Sequence, residues 1–132
     1  MFDVYNGIFK LIDPRGKFWE LWIWWDIKYD IAKLRHSVHW KYENIISDLF
    51  NLHYSIDTKK FEFEYFNWEI KSIINFFDNE IQKLGYDINV IKYIEALLYL
   101  TMIPLHSDSL NRQIVMYLTA TILFNETIEL WK

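Results

Sequence analysis

The chain has 132 residues, which fits one domain or a piece of a larger one. An apolar share of 52% is ample for a core, and a net charge of −4 with no basic stripe argues against broad nucleic-acid binding. With no cysteine there is neither a disulfide framework nor a thiolate metal site.

Phe2 to Tyr5 and Ile8 to Ile12 flank Asn6-Gly7. Asn-Gly between two short apolar runs predicts a hairpin, because both central residues of a type I′ turn need positive φ. No basic region followed by an apolar run marks a signal peptide at this end, and a cytoplasmic location is the expectation. The second strand leads into Asp13-Pro14-Arg15-Gly16. A carboxylate at the end of an apolar strand, followed at once by a Pro/Gly turn, is well placed to present an oxygen ligand. Asp before Pro also begins ordinary turns, so the motif alone leaves both readings open.

Lys17 to Trp25 is a dense aromatic stretch holding Trp19, Trp22, Trp24 and Trp25. Asp26 to Val38 then predicts a helix, with Ile27, Ile31, Leu34 and Val38 on one face and Asp26 as N-cap. Asp30 falls inside this helix. Lys33, Arg35, His36 and His39 fall on the other side. His36 and His39 are spaced for a metal, but no third ligand converges on them in sequence, and a hydrogen-bonding or surface role is the plainer expectation. The Arg35-to-His39 spacing is also loosely similar to the Arg-to-His motif of helical ribonucleases, with one gap missing.

Lys41 to Phe50 predicts a short helix with Ile45, Ile46, Leu49 and Phe50 as its apolar face. His53 to Ile56 and Lys60 to Phe66 predict a second hairpin around Asp57-Thr58-Lys59, since Phe61, Phe63 and Tyr65 alternate with charged residues. It would form the edge of a small sheet or a flap over a substrate site. The third helix runs from an Asn67 cap to Gly85, with Ile70, Ile73, Ile74, Phe77, Ile81 and Leu84 tracing its apolar face. The fourth is capped by Asp87 and ends at Ile103, before Pro104. Its run Ala96 to Ile103 is apolar nearly all round and should be central to the core, yet it is too short to span a bilayer. Ser107, Asp108 or Ser109 caps a last helix whose buried side should include Leu110, Ile114, Leu118, Ile122 and Phe124. The short connector makes the last two helices antiparallel neighbours. The fold class expected is α+β, mainly α, with two short β-hairpins and about five helices in a single domain over residues 1–132.

Many positions near the start follow one family pattern: I-D-P-R-G-x-F-G, a short loop, then G-D-x-x-Y-D-L-A-K-L-x-H-S. The matches are Ile12-Asp13-Pro14-Arg15-Gly16, Phe18, Asp26, Tyr29-Asp30, Ala32-Lys33-Leu34 and His36-Ser37. The chain therefore resembles the aminoglycoside phosphotransferase and choline kinase-like superfamily, nearest its sugar or capsule-biosynthesis kinase branch. Ile103 to Asp108 and Arg112-Gln113 resemble the closing helices of the same branch, and the stretch from Tyr42 to Asp87 adds little. The resemblance implies the C-terminal lobe of a protein-kinase-like fold, which builds the acceptor pocket. It implies that Asp13 binds Mg²⁺, the role of the first residue of the D-F-G element. Arg15, Asp26 and Asp30 would then contact phosphate or brace the active-site loop, and His36 and His106 would lie toward the substrate. Arg15 pairing with Asp26 or Asp30, and His106 acting only in capping, are equally compatible with the residues.

In that superfamily the catalytic H-G-D loop precedes the hairpin, upstream of where Phe2 stands, and the elements that hold ATP lie further upstream. The 132 residues contain none of these elements, so neither the base nor the ATP lobe is present here. The expectation is an ATP- and Mg²⁺-dependent phosphotransferase fragment acting on a hydroxyl of a sugar or similar small molecule, inactive alone. Its missing lobe, or self-association, would cover the apolar face it leaves exposed. The alternative is a small acidic helical immunity or inhibitor protein that docks through an aromatic surface.

The pattern has Gly where this chain has Trp19, Trp22, Trp25 and Trp40. Only 3 glycines remain, where roughly 7% of residues would be average. Four exchanges between the extremes of side-chain size, all in one direction, point to UGA codons that the source organism reads as glycine.

Overall fold

A computed structural model of the chain describes residues 2–3, 8–9, 27–39, 41–66 and 71–128. It is α+β and mainly helical. Strands β1 (Phe2–Asp3) and β2 (Ile8–Phe9) pair antiparallel, with Phe2 opposite Phe9 and Asp3 opposite Ile8, so the expected pairing forms, but not in the register of a two-residue Asn6-Gly7 turn, which would set Tyr5 opposite Ile8. Helices α1 (Ile27–Val38) and α2 (Lys41–Ile46) follow, then a second hairpin of β3 (Phe50–Ser55) and β4 (Lys60–Tyr65). The chain closes with α3 (Lys71–Lys83), α4 (Ile88–Met102), a 3-10 turn (Ile103–His106) and α5 (Leu110–Ile128). Asn6-Gly7, Asp26 and Asn67 lie outside the described residues, so their turn and cap roles do too.

Helix α4 is the axis of the fold, with cores on two sides. On one side Ala96 and Tyr99 pack with Ile45 of α2 and with Val115, Met116, Ala120 and Leu123 of α5. Phe50, Leu52, Phe63 and Tyr65 of the second hairpin close this core from outside. On the other side Ile91 packs with Ala32 of α1 and Ile81 of α3. Helices α4 and α5 are antiparallel: Gln113 donates to the Ile103 carbonyl at one end (3.0 Å), and Lys92 pairs with Glu126 at the other (2.9 Å).

Several helix ends follow the local chemistry of the sequence. Gly85 sits at φ +86, as a C′ residue of α3 should, and Asp87 caps α4 by accepting from the Asn89 amide at 2.8 Å. The α-helix stops before Pro104, as expected, and the path continues as a 3-10 turn. Pro104 enters at the start of this turn, where its missing N–H removes no needed bond. The continuous stretch Ile88–His106 is long and apolar enough to cross a membrane by length and composition, although Ala96–Ile103 alone is not. Here it packs against α1 and α5.

Three expectations need correction. Helix α2 ends at Ile46 rather than Phe50. Asp48 turns the chain at φ 54, and Phe50 opens β3, so Leu49 is exposed. In α1, the inward residues are Ala32, Arg35 and His36, while Ile27 and Leu34 are more than half exposed. In α5, Leu110 and Ile122 are exposed, and the inward row is Val115, Met116, Thr119, Ala120, Leu123 and Thr127. In α5 apolar residues occur all round, so periodicity alone does not fix the inner face, and in α1 it is the side carrying Arg35 and His36 that turns inward. The polar partners inside fix it.

Candidate functional site

Between the two cores lies a buried polar centre. Arg35 projects from α1 and is 2% exposed. Its Nε and Nη2 donate to both carboxylate oxygens of Asp78 on α3, at 2.8 and 3.0 Å. Its Nη1 donates to Glu95 Oε2 on α4. One guanidinium thus ties three helices together. Its planar fork suits this task, since it serves one carboxylate bidentately and keeps a donor for another. Glu95 is fully buried, and burial pushes its carboxyl up against the opposing pull of Arg35. Burial also works against the Arg35 charge, but the Asp78 hydrogen bonds and the two carboxylates hold the guanidinium above its ordinary value.

His36 lies beside this centre, 5% exposed, with its ring 4.4 Å from the Tyr99 ring and 4.9 Å from Tyr42. Tyr42 in turn meets His106 edge-on at 6.1 Å. The structure therefore brings His36 and His106, both expected toward the substrate, onto one aromatic path through Tyr42. Burial lowers the His36 imidazole to about 4 and, with Arg35 and Lys41 adding to it, the His39 imidazole to about 3. Of the hydrogen-bonding or surface role expected for this pair, the surface part fails for His36, which is buried, whereas His39 is half-buried.

Several buried polar atoms around this centre have no hydrogen-bond partner among the described residues: Glu95 Oε1, Tyr99 Oη, His36 Nε2, both His39 ring nitrogens and Glu43 Oε2. Orphaned groups of this kind are costly, and these gather around one polar centre. Among the described residues no group of three His, Asp or Glu side chains is arranged to hold a metal ion.

Of the other expected site residues, Asp13, Arg15 and Asp26 lie outside the described residues, as do Trp19, Trp22, Trp25 and Trp40. Asp30 sits in the first turn of α1, where its charge favours the free amides of the helix start. Arg112, in the closing segment, holds Asp48 bidentately (2.8 and 2.6 Å) and Asp108 at 3.0 Å. It clamps the α2–β3 turn to the start of α5. The second hairpin is fixed to α5 by a 2.7 Å hydrogen bond between the Tyr65 and Thr119 hydroxyls, and burial pushes the Tyr65 phenol up to about 12.

Sequence reasoning missed the Arg35–Glu95 pair. A signal was present: Glu95 is the lone acid in the α4 segment, and a buried carboxylate needs a cation. Only Arg15, Arg35 and Arg112 among the arginines could supply the fork. No protein family, curated protein or solved structure matches the chain.

Proposed function

We propose that the chain is the metal-holding and acceptor-side part of an ATP- and Mg²⁺-dependent phosphotransferase that acts on a hydroxyl of a sugar or similar small molecule. The observation that carries this reading is the dense run of pattern matches from Ile12 to Ser37. Its setting supports it: a paired β1–β2 hairpin stands before Asp13, and α1 begins at Ile27, directly after Asp26. The mainly helical architecture suits a C-terminal lobe.

On this reading Asp13 holds Mg²⁺ as one carboxylate among phosphate and water oxygens, which is chemically sufficient for that ion. Bound there, the ion neutralises phosphate charge during transfer. Asp30 braces the loop from the start of α1. Arg35 fixes α1 to α3 and α4, and so sets the position of Asp30 and the matched face of α1. The residues that would serve as catalytic base and hold ATP on this reading are not among the 132 given.

A second reading has support from the exposed apolar side chains. Ile56, Leu105 and Leu110 are 69–81% exposed, and Phe76 is 66% exposed. Exposed rings such as Phe76, with Tyr117 at 57%, fit the alternative of a small acidic immunity or inhibitor protein that docks through an aromatic surface. Sequencing the genomic locus separates the two. An in-frame H-G-D loop upstream of Phe2, with UGA at the codons for Trp19, Trp22, Trp25 and Trp40, supports the phosphotransferase. A neighbouring toxin gene, UGG codons and no upstream kinase sequence would support the binding protein instead.

A further inference from the structure

We propose that the cleft between α3 and α4 binds a neutral polyhydroxyl ligand, a sugar. The cleft has a volume of about 450 Å³ and is lined by Asn75, Asp78, Asn79, Gln82, Ile88 and Lys92. That size lies within the range of small-molecule sites. Asn75, Asn79 and Gln82 stand at i, i+4 and i+7 on α3, so their carboxamides form one row along the wall. Each carboxamide both donates and accepts, as each sugar hydroxyl does.

The charges in the cleft are already answered from within the protein. Asp78 has both oxygens bonded to Arg35, and Lys92 is paired with Glu126. Neither is left to attract an ion of the opposite sign, yet Asp78 keeps lone pairs for hydroxyl donors. An anion would find a single cation that already has a carboxylate. A nucleobase would find no aromatic ring to stack on among the described lining residues. Ile88 supplies an apolar patch for the C–H face of a sugar ring. Asp78 in the cleft wall is held by two hydrogen bonds from the buried Arg35, so its position is set before any ligand arrives.

This inference stands apart from the phosphotransferase reading, because it needs neither Asp13 nor ATP and its readout is binding. The test is an NMR titration of the ¹⁵N-labelled 132-residue chain. The probes are the methyl glycosides of glucose, galactose, mannose and N-acetylglucosamine, with glucuronate and inorganic phosphate as charged counterparts. At least one glycoside should shift the side-chain amide signals of Asn75, Asn79 and Gln82 saturably. The double variant Asn79→Ala/Gln82→Ala, at two exposed positions, should keep the native circular dichroism and bind that glycoside about tenfold more weakly. No saturable shift with any glycoside would overturn the proposal, as would tighter binding of either anion or undiminished binding by the variant.

Discussion

Arg35 links α1 to both α3 and α4 through Asp78 and Glu95. Removing it strands Glu95 as an unpaired buried carboxylate, and breaking such a pair costs about 3–5 kcal/mol. Arg35→Met should therefore lower the urea midpoint sharply. The double variant Arg35→Met/Glu95→Leu should recover most of the loss, since an apolar pair needs no desolvated charge. Equal instability of the single and double variants would show that the pair is not the reason. The two buried imidazoles make a second prediction. Their folded values, about 4 for His36 and about 3 for His39, lie below the unfolded value near 6.5. The unfolded chain thus binds more protons in that window, and stability rises with pH across it. The contribution is fully present above about pH 6.5 and is lost as pH falls through the folded values. His36→Phe removes one of these sites, so its stability should fall less steeply than the parent's between pH 6.5 and 4. Denaturation midpoints across that range check the slope.

At the scale of elements, the ends of α3 and α4 were legible because each rests on a local contact. Gly85 at φ +86 meets no atom within 4 Å of an added Cβ, so Gly85→Ala should cost only the backbone strain, about 1 kcal/mol. Asp87→Ala should cost a similar amount by removing the cap. Thermal unfolding of the two variants checks both, and an unchanged midpoint would contradict the turn and cap assignments. The inward faces of α1 and α5 were not legible in this way. Ile122 is as apolar as its buried neighbour Leu123, and α1 turns its apolar Leu34 outward because Arg35 meets Asp78 and Glu95 inside. Those partners lie 43 and 60 residues away, beyond any local pattern. The end of α2 was misjudged for a related reason. Asp48 takes a left-handed conformation and is held by Arg112, 64 residues on, and this frees Phe50 for the strand.

For the whole molecule, α4 at the centre and the antiparallel α4–α5 pair followed from apolar runs and a short connector. The buried polar centre did not, because its members come from α1, α2, α3 and α4 and only the tertiary fold gathers them. The exposed Phe76, Leu105, Leu110 and Tyr117 predict concentration-dependent self-association of the 132-residue chain, measurable by sedimentation velocity. A monomer at all concentrations would show that these side chains are tolerated in water. At this scale the proposed role of Asp13 is in phosphoryl transfer. Its most direct test is transfer of the ATP γ-phosphate to a sugar hydroxyl, followed by ³¹P NMR. The protein would be the polypeptide carrying this chain behind an H-G-D loop, compared with its Asp13→Asn variant. The account predicts Mg²⁺-dependent sugar phosphate from the parent and a loss of at least about a hundredfold in the variant, with its fold intact. Full activity in Asp13→Asn, or no transfer to any sugar by the parent, would contradict it.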